Sequence, residues 1–109
     1  MIIDFNSIQQ QSIANFKGGE KAYDVRMFTD PANKIMKGHL EPGASIGMHT
    51  HDTSSEIIFI IQGHGSVIDD GETNPVKAGD CLYCPKGHTH SLINDSQEGL
   101  DFYAVVAEQ

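Results

Sequence analysis

Apolar residues recur at every second position through much of this chain. Leu100, Phe102, Ala104 and Val106 share one face of a segment whose other face carries Asp101 and Tyr103, and Tyr23, Val25 and Met27 repeat the pattern near the front. Turn-forming residues interrupt the chain at short intervals, at Gly18–Gly19, Asp30–Pro31, Glu41–Gly43, Gly63–Gly65, Asp69–Gly71, Ala78–Asp80, Pro85–Gly87 and Asn94–Gly99. The stretches between them are too short for ordinary helices and suit strands of about five residues. The pattern predicts an all-β chain. Only Asn6 to Phe16 has helical spacing, with Asn6 or Ser7 as N-cap and Gly18 and Gly19 as the stop, and this short N-terminal helix is expected outside the sheets.

Glu56 to Gln62 departs from half-buried alternation. Ile58 and Ile60 lie on one face and Ile57, Phe59 and Ile61 on the other, so both faces need cover. Neighbouring loops or the N-terminal helix would supply it within one chain; a second subunit would supply it otherwise. A single domain spanning 1–109 buries only about two-thirds of its unfolded surface, which favours the homodimer.

Charge narrows the partners. With 15 Asp+Glu against 7 Lys+Arg, a formal net charge of -8 repels phosphate backbones and anionic lipid, so neither nucleic acid nor a membrane is expected. Residues 1–10 hold no lysine, arginine or apolar block, and the longest apolar run, Ile57–Ile61, is too short to span a bilayer, so the expected location is cytoplasmic. Cys81 and Cys84 form a C-x-x-C spacing that could suggest redox or zinc chemistry. On a strand, however, residues three apart face opposite ways with Cα atoms about 10 Å apart, which predicts buried, inert thiols.

The dense chemistry lies in His49-Thr50-His51 and, five positions on, Glu56. In a strand the two imidazoles share a face with Cα atoms roughly 6.6 Å apart, close enough to converge on one ion, and the turn through Asp52–Ser55 brings Glu56 beside them. An H-x-H alone equally suits two surface histidines. The wider spacing is more specific: Gly43-(five)-His49-Thr50-His51-(four)-Glu56-(six)-Gly63, then Gly79-(five)-Pro85-Lys86-Gly87-(two)-His90-(three)-Asn94. These two segments resemble the first and second motifs of the cupin superfamily, each with every fixed position present. The resemblance implies a small antiparallel jelly-roll β-barrel and carries over His49, His51, Glu56 and His90 as ligands of one divalent transition metal ion. Gly43, Gly79 and Gly87 suit turns needing positive φ.

Such a donor set closes a tetrahedron around zinc or leaves two positions open on octahedral iron, manganese, nickel or cobalt. Counting by twos from the ligands turns Ile58, Ile60 and Gln62 inward, with Leu92 and Asn94 after His90, and Met36 and Leu40 on the preceding strand. Gln62, Tyr103, Arg26 and Tyr83 are the polar candidates for binding a small-molecule substrate, unless a bulge reverses the alternation. His88 precedes His90 by two and is read mainly as a turn residue; His39 and His64 receive no role. Three functions are consistent with the sequence. They are a metalloenzyme of dioxygenase, decarboxylase, lyase or isomerase type on a small chelating substrate, a binding module for a small ligand or sugar, and a barrel stabilised by structural zinc.

Overall fold

The computed structural model describes residues 1–109, and in it ten strands form two antiparallel sheets. The larger, in the order β1-β2-β3-β10-β5-β8, contains β1 (Gln11–Ala14), β2 (Ala22–Thr29), β3 (Asn33–Leu40), β10 (Leu100–Glu108), β5 (Ser54–Gln62) and β8 (Cys81–Cys84). The smaller, β4-β9-β6-β7, contains β4 (Ser45–Thr50), β9 (Thr89–Ile93), β6 (His64–Asp69) and β7 (Glu72–Lys77). This is the expected all-β jelly-roll barrel.

Local chemistry sets the turns. Between β2 and β3 the Asp30 carboxylate accepts hydrogen bonds from the backbone N–H groups of Ala32 and Asn33, at 2.9 and 2.7 Å. Between β6 and β7 the chain reverses through Asp70 and Gly71, both at positive φ, the backbone twist a two-residue hairpin requires. The glycines expected at positive φ, Gly43, Gly79 and Gly87, adopt it.

The core follows from alternation. Tyr23 and Val25 from β2, Met36 and Leu40 from β3, Ile58 and Ile60 from β5, Leu92 from β9, and Leu100, Phe102 and Ala104 from β10 all point between the sheets. The opposite face of β5 stays uncovered by its own chain: Ile57, Phe59 and Ile61 are 36%, 49% and 50% exposed, beside Tyr83 and Tyr103. Phe5 covers part of this surface, its ring 5.7 Å from that of Tyr103.

Two expectations fail here. The helix over Asn6–Phe16 does not form; Phe5–Ser7 and Phe16–Gly18 are single 3-10 turns, and Gln11–Ala14 between them pairs with β2, Gln11 opposite Val25 and Ala14 opposite Ala22. A helix this short is marginal on its own, whereas the edge of β2 offers a ready ladder of backbone partners. Asp4, not Asn6 or Ser7, caps the first turn by accepting the Asn6 N–H. The two cysteines are free and point to opposite faces as expected, but only Cys84 is buried; Cys81 lies exposed on the outer face. Burial, followed by the charge of Glu56, pushes the Cys84 thiol up to about 11.

Candidate metal centre

Strict alternation would separate Ile46 from His49, yet both face the interior. The β4–β9 register explains this, since Ile46 opposes Leu92 and His49 opposes His90 with a bulge between them. The Ser91 hydroxyl fills the irregularity by donating to the Ile46 carbonyl at 2.6 Å. His51 lies just past the end of β4. There its N–H donates to the His88 carbonyl at 3.0 Å and its carbonyl accepts from the Gly87 N–H at 2.7 Å, pinning the segment to the Pro85–His88 turn. Glu56 comes from the larger sheet, on β5 opposite Val106 and Cys84.

Four side chains distant in sequence thus converge, and their ligand atoms all lie within 4.8 Å of one another. The Nε2 atoms of His49, His51 and His90 are separated by 3.1, 3.2 and 2.9 Å. Glu56 Oε1 lies 3.1 Å from His51 Nε2, 2.8 Å from His90 Nε2 and 4.0 Å from His49 Nε2. Donors bound to one ion at ~2.0–2.1 Å would lie about 3 Å from their neighbours, so these atoms are spaced as a shared ion would require.

Protonation suits the same role. His49 Nδ1–H donates to the Gly47 carbonyl at 2.7 Å, which leaves its Nε2 lone pair aimed inward. His51 Nδ1 lies 3.2 Å from the Ser54 hydroxyl. Burial holds the pKa of His49 below the usual histidine range, and the adjacent His90 and His51 push the same way. For Glu56, burial pushes upward, but hydrogen bonds from His51 and His90 and their charge outweigh it and hold the carboxyl down at about 2. The free His49 Nε2 and the ionised Glu56 carboxylate, with two more imidazole nitrogens beside them, favour a positive charge among the four. The residues therefore could hold one metal ion, and His49, His51, Glu56 and His90 are the group the sequence nominated.

Above them opens a cavity of about 470 Å³. Its apolar wall is Phe16, Tyr23, Met27, Met36, Ile46 and Val106, and its polar rim includes Lys17, Lys34, Thr50, Asp52, Thr53 and Ser54. Of the positions expected to face a substrate, Met36 lies in this wall. Ile58, Ile60 and Leu92 are instead fully packed in the core, outside the cavity lining. Gln62 and Tyr103 border a separate depression of about 270 Å³ on the outer face of the larger sheet, with Lys37 and Asp101. Gln62 is displaced by a register shift, Phe102 opposing Ile60 but Asp101 opposing Gln62; Tyr103 follows Asp101 to the outer face.

The other candidates are committed elsewhere. Arg26 donates to the carbonyls of Phe5 and Ile8, Tyr83 is exposed on the outer face, and Asn94 is wholly buried, donating to the carbonyls of Leu40 and Glu98. His88 Nδ1 pairs with Asp70 at 2.6 Å, and His39 Nδ1 with Asp101 at 2.7 Å. Met27 and Val106 lie on the apolar faces the sequence marked but were not expected to line a cavity, and Lys34 follows from alternation with Met36. Phe16 and Lys17 carried no such signal, because they reach the rim on a 3-10 turn.

Three histidines and a glutamate thus converge at a cavity of an antiparallel barrel as a group that could hold one metal ion. Residues 36–106 match the family model described as Cupin domain, and the chain belongs to that family. It is similar to the oxalate-binding protein of Thermotoga maritima, 30% identical over 97% of this chain and 93% of that one. A crystal structure from Thermotoga maritima described as a predicted oxalate decarboxylase superposes with a TM-score of 0.93, at 30% identity and full coverage of both chains. A cupin-superfamily sugar phosphate isomerase from Silicibacter pomeroyi shares the fold, with a TM-score of 0.82, 21% identity, and coverage of 100% of this chain and 76% of that one.

Proposed function

We propose that this chain binds one divalent transition metal ion (Fe, Mn, Ni, Co or Zn) through His49, His51, Glu56 and His90 and uses it as a small metalloenzyme on an oxygenated ligand that chelates through two oxygens. The supporting observation is the convergence of three imidazole nitrogens and the Glu56 carboxylate, because four protein donors would leave room on a six-coordinate ion for a bidentate carboxylate. The name of the Thermotoga relative makes oxalate the first ligand to try. A divalent ion supplies Lewis acidity, drawing electron density from the oxygens of a chelated carboxylate or carbonyl. The chain's own part is to keep Glu56 ionised, to orient His49 through the Gly47 carbonyl, and to line the approach with Phe16, Met27, Met36, Ile46 and Val106, which limit water.

One observation favours a second reading, capture without turnover. Beyond the four ligands, the titratable groups lining the cavity are Lys17, Lys34 and Asp52 on its rim and the buried Tyr23 hydroxyl. It bonds to the Met36 sulfur at 3.6 Å, and burial, then the charge of Glu56, pushes it well above the usual tyrosine range. It is poorly suited to shuttle protons at neutral pH. The decisive experiment is elemental analysis of protein purified without chelator or affinity tag, then oxalate titration with parallel measurement of oxygen uptake and decarboxylation. One metal per chain with turnover is expected, and Glu56→Gln and His90→Ala should lose both. Tight oxalate binding without turnover selects capture; zinc that only raises the melting temperature selects a structural barrel; unchanged metal loading in both variants overturns the site.

The same reading takes 1–109 as a single cytoplasmic domain acting as a homodimer. The uncovered Ile57, Phe59, Ile61, Tyr83 and Tyr103 form the apolar patch a second copy would cover.

A further inference from the structure

The rim of the cavity runs against the charge of the protein. The chain carries -8 overall and seven basic side chains in all. Four of the seven are engaged: Lys21 donates to the Pro42 carbonyl at 2.7 Å, Arg26 to the carbonyls of Phe5 and Ile8, Lys77 pairs with Asp80 at 3.4 Å, and Lys86 reaches the Gln109 carbonyl at 3.3 Å. Lys17, Lys34 and Lys37 make no ion pair or hydrogen bond through their ammonium groups. Two of these three, Lys17 and Lys34, line the one cavity that opens onto the metal centre.

They reach it from opposite sheets. Lys34 projects from β3 of the larger sheet. Lys17 sits on the second 3-10 turn, which packs on β4 of the smaller sheet, its Nζ 5.5 Å from the centre of the Phe16 ring. That turn is held in an unusual conformation, since Lys17 within it and Asn15 at its N-cap are non-glycine residues at positive φ, a conformation that persists only where surrounding contacts enforce it. The contacts are specific. The Asn15 amide donates to the Gly19 carbonyl at 3.0 Å, the Glu20 N–H donates to the Ser45 hydroxyl at 2.8 Å, and Gly19 and Gly47 lie back to back where neither has room for a Cβ.

Resting on the metal reading above, we infer that Lys17 and Lys34 form a second subsite, one that receives an anion, so that the ligand is longer than oxalate: a 2-oxo or 2-hydroxy carboxylate that chelates at one end and carries a further anionic group at the other. The size agrees. A cavity of about 470 Å³ has the volume of roughly fifteen water molecules at ~30 Å³ each, far more than two carbons and four oxygens fill. The charge agrees as well, since Glu56 is committed to the ion and Asp52 alone opposes the two ammonium groups on the rim.

The test is calorimetric titration of Mn²⁺-loaded protein with 2-oxoglutarate (carboxylate tail), 3-phosphoglycerate (phosphate tail) and 2-oxopentanoate, which has no anionic tail. At least one tailed ligand is expected to bind about tenfold tighter than 2-oxopentanoate, the scale of two partly exposed charge-assisted contacts, and to lose that advantage in high salt. The better of the two identifies the tail. Lys17→Met with Lys34→Met should abolish the preference while oxalate affinity holds, and Lys17→Arg with Lys34→Arg should retain it. Equal binding of all three ligands to the loaded wild type, or a preference that survives the double methionine variant, overturns the subsite and leaves the metal centre standing. Failure of the wild type to take up Mn²⁺ or any other divalent transition ion overturns both.

Discussion

Gly47 is the residue whose replacement best tests how the rim is built. Its φ lies outside the left-handed range, so alanine meets no backbone strain there; the obstacle is space. A Cβ at Gly47 would overlap the Lys17 carbonyl oxygen and lie 2.6 Å from the Lys17 carbonyl carbon and 2.7 Å from the Gly19 nitrogen. Backbone atoms cannot swing aside as a side chain would, so in Gly47→Ala the second 3-10 turn must lift from β4. Overpacking costs ~1–3 kcal/mol, and the contact of Phe16 with Tyr23, rings 5.4 Å apart, contributes a further ~0.5–1.5 kcal/mol that lifting would weaken. The stiffer unfolded chain returns ~0.4–1 kcal/mol. The net destabilisation is about 2 kcal/mol, a fall of roughly 8–16 °C in melting temperature for a domain of this size. Urea titration should show the midpoint dropping at constant slope. Met48→Ala, next door on the exposed side, should stay within about 0.5 kcal/mol of wild type and serves as the control. A Gly47→Ala protein equally close to wild type would refute the account of how the turn is seated.

Acid stability follows from Glu56. Its folded pKa of about 2 lies below the ordinary 4.5, so its contribution is complete above pH 4.5 and drains away as the pH falls towards 2; His49, also depressed, adds loss of the same sign once the pH drops below the ordinary 6.5. Metal-free wild type should therefore lose stability steeply below pH 4.5 in urea melts, and a Glu56→Gln variant with an equally steep acid limb would contradict this. On the outer face, Phe59→Asp should convert a dimer to a monomer in sedimentation velocity without unfolding it, because the side chain is half exposed within one chain; a wild-type monomer at micromolar concentration would end the dimer proposal.

The site was legible where the backbone keeps period two. His49 and His51 share a face, the glycines at 43, 79 and 87 take the turns that need them, and β10 alternates as its residues suggest. Legibility failed wherever one residue of register was gained or lost. The β4 bulge turns His49 inward three positions after Ile46, which alternation alone would forbid, and the shift at Asp101 and Phe102 carries Gln62 to the outside. The N-terminal segment misled for a different reason. Its glutamines and serines have no strong preference, and the free edge of β2 decided the outcome, which no local pattern in residues 6–16 encodes.

The donors are divided unequally across the sandwich: His49, His51 and His90 ride on or beside the smaller sheet, and Glu56 alone on the larger. A cation gripped by all four would act as a rivet between two leaves whose facing interior is largely apolar. Clamshell breathing of the leaves and escape of the ion then become one event, so whatever slows the first also lengthens the residence of the second.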